Sequence, residues 1–182
     1  MNTERFGVCV NVKGMLDALQ LKKKKCNHHE LCTVWGEQLD REQILTQYPR
    51  PQLARKQYDI LNGWCEYAIT TSSSFPEKWD GQICIPFSPE TKLSGVERQL
   101  QPTERLWYHK ELVISEKKEG QRLILHIGAC DERCKIYMNK KEVAKHCGGY
   151  LAFEADVTDA IVEGTNILEI CVRDKSIILR AI

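Results

Sequence analysis

Hydrophobic and polar positions alternate most clearly between residues 122 and 174. From residue 123 to residue 129, apolar side chains recur at every second position, and this period of two predicts a β-strand. Two short strand-like runs, 135–138 and 142–145, flank Asn139-Lys140-Lys141, which we interpret as a hairpin loop. Further strands are predicted at 151–157 and, after the turn Glu163-Gly164-Thr165-Asn166, at 167–173. Consecutive short strands joined by turns predict an all-β domain.

Two long loops interrupt this pattern upstream, at residues 72–79 and 87–105. The second contains Pro89, Gly95 and Pro102 and directly follows Pro86, so regular structure is disfavoured there. Loops of this length in a compact β domain are either functional or disordered.

Composition limits the classes of function. A chain of 182 residues with 42% hydrophobic residues supports one domain with a sizeable core, or one domain and a tail. The net charge of +1 predicts no nucleic-acid partner and no attraction to an anionic membrane. No apolar run approaches the roughly 20 residues of a membrane-spanning helix.

Nine cysteines predict a reducing, cytoplasmic location, because an odd number cannot pair completely and the first residues do not resemble a signal peptide. Cys130 and Cys134 would lie about 13 Å apart if one strand held both, too far for a disulfide. A Cys–His nucleophile, from Cys147 beside His146 or from Cys130 near His126, is disfavoured, since neighbours in a strand point to opposite faces.

Residues 1–31 are predicted to be an N-terminal extension, partly disordered or with a short helix at 14–25, and residues 32–182 the β domain. The extension ends near Cys26-Asn27-His28-His29-Glu30-Leu31-Cys32, which contains soft metal ligands. Structural zinc sites draw ligand pairs from two separated segments, and no second pair appears. We therefore predict no metal and no cofactor.

Short motifs in a fixed order point to a family. They are Tyr48-Pro49-Arg50-Pro51-Gln52, Leu61-Asn62-Gly63-Trp64, Trp79-Asp80-Gly81, Ile85-Pro86-Phe87, Leu93-Ser94-Gly95-Val96, Trp107-Tyr108, His126-Ile127-Gly128-Ala129, Tyr137-Met138-Asn139-Lys140, Gly148-Gly149-Tyr150, Asp156-Val157-Thr158 and Val172-Arg173-Asp174. In this order the chain resembles the N-terminal sugar-binding domain of glycoside hydrolase family 2, the family of β-galactosidases, β-glucuronidases and β-mannosidases.

The resemblance implies a jelly-roll β-sandwich that binds a β-linked carbohydrate and packs on a catalytic barrel and further sandwich domains. Both catalytic glutamates of the family lie in that barrel, several hundred residues downstream, so we assign no catalytic residue here and expect the chain alone to be inactive. The acids Glu142, Glu154, Glu163 and Glu169 are interpreted as solvent-side charges.

Three residues are predicted to contact sugar. Asp174 matches the family position whose carboxylate reaches the neighbouring active site; the alternative is a strand-end turn aspartate. Glu97 closes a loop, 93–97, where some family members send a polar side chain into the same pocket, although Asn is absent here. Trp79 is the tryptophan expected to be exposed, whereas Trp64 and Trp107 are expected to pack in the sheet.

Two alternatives stay open. The chain is a stand-alone carbohydrate-binding module, or it is a structural piece that assembles with a separately encoded remainder of an enzyme. Residues 175–182 depart from the family pattern, so a fragment or a frameshifted product, truncated at its C-terminus, is also consistent with the sequence.

Overall fold

The computed structural model describes residues 33–47, 57–115 and 120–174. The strands in these residues are β1 (Gly63–Thr70), β2 (Gly81–Ile85), β3 (Arg105–Ile114), β4 (Ile124–Ile127), β5 (Arg133–Met138), β6 (Lys141–Cys147), β7 (Phe153–Asp156) and β8 (Gly164–Arg173). In the same residues, helical structure is limited to α1 (Val34–Glu37) and two 3-10 helices, Lys92–Ser94 and Thr158–Ala160. The predicted helix at 14–25, the Cys26–Cys32 cluster, the motif at 48–52 and residues 175–182 lie outside the described residues.

The strands form two antiparallel sheets. A six-stranded sheet has the order β2-β1-β3-β8-β5-β6, so β2 and β6 are its edges, and β4 pairs with β7 in a second, two-stranded sheet. The long strands β3 and β8 lie at the centre, where their ladder runs from Leu106–Val172 to Ile114–Gly164. The predicted all-β sandwich is confirmed.

The main core lies between the two sheets. Alternate residues of the large sheet, such as Leu112, Ile136 and Leu168, pack against Leu125 of β4 and Ala155 of β7. We call this side of the large sheet the inner face. A second inner-face cluster contains Leu106, together with the partly buried Val96 from the loop after β2. Leu106 lies six residues before Leu112 in β3, so the two side chains point to the same face. Burial of aliphatic side chains on this face is the main source of stability.

The predicted hairpin is present with a tighter turn than expected. β5 and β6 are joined by Asn139 and Lys140, whose φ angles of 52° and 66° are typical of a two-residue type I′ turn. Lys141, predicted as a loop residue, is the first residue of β6.

The Asn139 side chain ties this hairpin to the rest of the sandwich. Its amide nitrogen donates to the carbonyl of Ala160 and to Oδ1 of Asn166, both at 2.8 Å, while its oxygen accepts from the N–H of Ile167 at 2.9 Å. These bonds connect the turn to the start of β8.

The strand boundaries differ from the predictions by one to three residues. β5 begins at residue 133 rather than 135, β6 ends at 147 rather than 145, and β7 covers 153–156 rather than 151–157. β4 covers residues 124–127 of the predicted 123–129, and β8 begins at Gly164, inside the predicted turn. The β8 extension has a physical cause: buried Asn166 accepts a hydrogen bond from the N–H of Val162 and donates to its carbonyl, so the turn closes before Gly164.

Candidate functional site

The outer face of the large sheet, opposite the inner face, carries polar side chains in register. Pairing places Glu66 of β1 opposite His109 of β3, His109 opposite Glu169 of β8, and Glu169 opposite Tyr137 of β5. These four residues therefore form a continuous row across the sheet.

Glu169 lies at the centre of the row with its side chain 0% exposed. Its Oε1 is 2.5 Å from Nζ of Lys140 and 3.5 Å from Nδ1 of His109, and Nε2 of His109 is 3.8 Å from Oε2 of Glu66. The second oxygen, Oε2, makes no hydrogen bond among the described residues. The prediction that Glu169 is a solvent-side charge is wrong.

Competing effects set the pKa of Glu169. Burial alone would raise this pKa, but hydrogen bonding and charge attraction from His109 and Lys140 together outweigh burial and lower it. Glu169 is therefore held as a carboxylate at neutral pH, with Lys140 as its cationic partner.

A loop between β1 and β2, residues 71–80, covers this row with aromatic rings. The Phe75 ring lies 5.2 Å from that of Trp107 and 4.9 Å from that of Tyr137, and the Trp79 ring lies 4.6 Å from His109. Asp80 fixes the end of the loop, since its carboxylate accepts from the N–H of Ile69 at 2.8 Å. The loop therefore places aromatic rings against Tyr137 and His109, the two residues that flank Glu169 in the row.

The tryptophans follow the predictions in part. Trp107 is fully buried, as expected for a residue that packs in the sheet. Trp79 is half-buried against Trp107, Ala68 and Cys171, so it is not the exposed ring that its loop position suggested.

A pocket of about 450 Å³ opens at the end of the outer face where β8 finishes. Among the described residues that line it, five have cationic side chains and none has a carboxylate. The lining residues are Ser73, Arg105, Arg133, Cys134, Lys135, Lys145, His146, Cys147, Cys171 and Arg173.

Three of the cations come from one row of the sheet. Arg133 of β5 pairs directly with Arg173 of β8, and the β3–β8 register, continued one residue beyond the Leu106–Val172 pair, places Arg105 on the other side of Arg173. The guanidinium of Arg105 donates to the Thr71 carbonyl at 2.7 Å, and Nε of Arg173 is buried without a hydrogen bond among the described residues. The sequence analysis did not predict this row. The feature that could have indicated it is an arginine at one end of each of three strands that lie side by side in the sheet.

The structure does not bring the three predicted sugar residues together. Asp174 follows β8 directly, beside Arg173 of the pocket lining. Trp79 lies over the middle of the outer face, and exposed Glu97 follows Val96, which packs with Leu106 on the inner face. Their sugar contacts stay predictions.

Cys130 and Cys134 do not lie in one strand, the arrangement for which the sequence predicted a separation of about 13 Å. Cys130 precedes β5 while Cys134 belongs to it, and a hydrogen bond between the thiols raises the pKa of Cys130 and lowers that of Cys134. Both are free thiols.

Within the described ranges, no group of three or more His, Cys, Asp or Glu side chains could hold a metal ion. No helix of that part of the chain is long and apolar enough to cross a membrane.

Comparison with known proteins gives consistent matches. Residues 50–179 match the family model for the glycosyl hydrolases family 2 sugar binding domain. The chain is 28% identical to the β-glucuronidase of Paenibacillus borealis over 123 residues, 64% of this chain and 21% of that protein. The β-glucuronidase of Canis lupus familiaris is 25% identical over 132 residues, 64% of this chain and 20% of the relative.

Solved structures show the same likeness. The β-D-glucuronidase for Dictyoglomus thermophilum superposes with a TM-score of 0.50 at 27% identity, covering 63% of this chain and 19% of that one. The chain spans about a fifth of the length of the curated relatives it matches.

Proposed function

Because the chain belongs to the sugar-binding domains of glycosyl hydrolase family 2, we propose that it is the non-catalytic sugar-binding and scaffolding domain of a β-glycosidase of the β-glucuronidase type. The observation that carries this proposal is the family match across the sandwich, residues 50–179. The finer assignment, to β-glucuronidase, rests on the names of the relatives.

The carboxyl groups of the described residues support a non-catalytic role. Glycoside hydrolysis needs one carboxylic acid whose pKa is raised, beside a second carboxylate. Every described carboxyl with a clearly shifted pKa is shifted downwards instead. Lys145 lowers the pKa of Glu142, Thr158 and Arg122 lower that of Asp156 to about 2, and His109 with Lys140 lowers that of Glu169.

The sandwich supplies position rather than reacting groups. Asp174 stands at the end of a strand whose neighbours are hydrogen-bonded along nearly its whole length. A carboxylate on such a rigid element can accept hydrogen bonds from sugar hydroxyls in a constant geometry, which favours productive orientation of a substrate. The catalytic barrel and further sandwich domains are the partners we propose for this surface.

The test is an amide NMR titration of the full chain with methyl β-glucuronide, β-galactoside and β-mannoside, with hydrolysis measured in parallel. We expect no hydrolysis, and saturable shifts around Asp174 for one of the sugars. Asp174→Ala should abolish these shifts, while Thr165→Ala at the opposite end of β8 should keep them. Hydrolysis by the purified chain, or shifts from a neutral glycoside that persist in Asp174→Ala, would contradict the proposal.

A stand-alone carbohydrate-binding module is the second candidate, and one observation favours it. The Tyr150 ring is 97% exposed in the loop between β6 and β7, next to Leu151, and open aromatic rings stack on pyranose faces. If this candidate is correct, Tyr150→Ala rather than Asp174→Ala will abolish the shifts in the same titration.

We also propose a cytoplasmic location. The cysteines of the described residues, whether buried like Cys65 or exposed like Cys147, are free thiols, as a reducing compartment would keep them. Fractionation of cells followed by thiol alkylation and mass spectrometry tests this; reversibly oxidised cysteines in the purified native protein would contradict it.

A further inference from the structure

We infer that the pocket at the end of the outer face is a binding site for a small oxyanion ligand, of the size of an acidic monosaccharide. The site comprises Arg105, Arg173 and Arg133 on adjacent strands, with Lys135 and Lys145 beside them. This role is separate from the proposed sugar contact of Asp174, and it requires only that the pocket be accessible.

The charge of the lining is the first argument. Carboxylates outside the lining pair with three of the five cations: Glu142 lies 3.4 Å from Lys135 and 3.0 Å from Lys145, and Glu132 lies 3.5 Å from Arg133. Arg105 and Arg173 make no ion pair within residues 33–47, 57–115 and 120–174. Among the described residues, these two guanidinium groups therefore line the pocket without a carboxylate partner.

The position of the arginines on the sheet is the second argument. Residues directly opposite each other on neighbouring strands hold their Cβ atoms about 4.5–5.5 Å apart, and like charges in such positions are destabilising. Here Arg173 has an arginine opposite it on each side. The row is therefore unfavourable without a counter-charge, and an anion bound between the guanidinium groups supplies one.

Arg173 adds a third argument, because its Nε is buried and donates to no group of the described residues. A buried donor without an acceptor costs stability. Guanidinium groups present N–H donors in a planar fork that matches the two oxygens of a carboxylate or phosphate. An oxyanion in the pocket would satisfy the donor and the charge together.

The pocket volume decides the size of the ligand. About 450 Å³ lies within the range of small-molecule sites and accommodates a sugar acid or a sugar phosphate. Carboxylate and phosphate share the chemistry that the arginines recognise, so the two sources must be separated by experiment.

Three ligands share the same sugar ring and differ in their charged group: glucose, glucuronate and glucose 6-phosphate. Comparing them distinguishes recognition of the anionic group from recognition of the ring. Each is titrated into the full chain by isothermal calorimetry at low and at physiological ionic strength. We expect one of the two anions to bind at least about tenfold more tightly than glucose, and added salt to weaken its binding. The anion that binds more tightly identifies the source. Equal affinity for all three ligands would overturn the inference.

Arg105→Gln/Arg173→Gln is the decisive variant, with folding checked by circular dichroism. Arg98→Gln/Arg122→Gln removes the same charge from exposed arginines elsewhere and serves as the matched control. We expect at least about tenfold weaker anion binding in the first variant and no more than about a twofold change in the control. Equal weakening in both would show a general charge effect and refute the site.

Arg105→Lys/Arg173→Lys guards against misfolding of the glutamine variant, since it keeps both charges and loses the planar forks. Its affinity for the anion should fall between those of the parent chain and the glutamine variant; an unchanged affinity would contradict guanidinium recognition. Asp174→Ala separates the two proposals, because it should abolish the amide shifts that the neutral β-galactoside or β-mannoside causes around residue 174 and leave the calorimetric affinity for the anion unweakened.

Discussion

The two faces of the six-stranded sheet are built from the same strands and serve opposite purposes. The inner face presents aliphatic side chains such as Ile136 and Leu168 to the small sheet, and these residues fill one continuous core. The outer face holds Glu169 at full burial, a row that includes His109, and at its end the row of arginines. The need for stability explains the aliphatic composition of the inner face. The outer face retains charged side chains that a requirement for packing alone would not select.

The difference shows where evolution of function is free to act in a β-sandwich. Every strand contributes alternate residues to each face, so one face can be optimised for packing without constraining the other. Changes at inner positions should mainly lower stability. Substitutions at outer positions should instead change how the stability of the protein depends on pH and salt.

Ile136→Ala tests the inner face and should have the largest effect. The side chain is completely buried between the sheets, so its truncation should lower the free energy of unfolding by about 2–5 kcal/mol. Urea denaturation measures this change, and Ile136→Val, with an expected loss of about 0.5–1.5 kcal/mol, is the graded control. Equal losses for the two variants would contradict a close-packed inner face.

Glu169→Gln tests the outer face with a smaller expected loss of about 1–3 kcal/mol, because the variant keeps the shape and removes the attraction to Lys140. Glu111→Gln, at an exposed position of β3, should stay within about 0.5 kcal/mol of the parent chain. A double-mutant cycle with Lys140→Met then isolates the pair. Zero coupling would show that burial, rather than the ion pair, determines the effect.

The same variant sharpens the comparison through pH. The folded state lowers the pKa of Glu169, so its stabilising contribution is fully present above the unfolded value, about 4.3, and is lost as the pH falls through the folded pKa. Subtracting the Glu169→Gln stability curve from that of the parent chain removes the contributions of other acids. The difference should shrink on acidification below about pH 4; a difference that grows there would reverse the assigned direction.

Arg173→Gln should have the smallest effect and the opposite sign. Removing one of three adjacent arginines should raise the stability of the ligand-free protein by about 0.2–1 kcal/mol at low salt, and the gain should fade as salt screens the charges. Thermal unfolding at two ionic strengths measures this. A loss of stability at both would mean that Arg173 is a packing residue.

The strands of the second half were predictable because each carries its pattern within a few residues. The hairpin at Asn139-Lys140 and the start of β8 near Gly164 followed from local turn chemistry, with errors of one to three residues. Local patterns also identified Trp107 as a packing residue.

The outer face was not predictable in the same way, because its neighbours come from distant parts of the chain. Phe75 and Trp79, about ninety residues before Glu169, contact its row neighbours Tyr137 and His109, and nothing in the sequence around β8 indicates these contacts. The arginines likewise come from β3, β5 and β8, and only the strand order makes them neighbours. The candidate site is therefore formed by the pairing of distant strands and not by a continuous sequence motif.

The two edge strands determine how this sheet can meet other proteins. β2 has five residues and is followed directly by Pro86, which has no N–H to donate, and β6 carries Lys141, Glu142 and Lys145 along its length. A short edge, a proline and edge lysines all discourage an incoming strand. The sheet therefore resists growth into fibres, and partner proteins should recognise its side chains and loops rather than its exposed backbone.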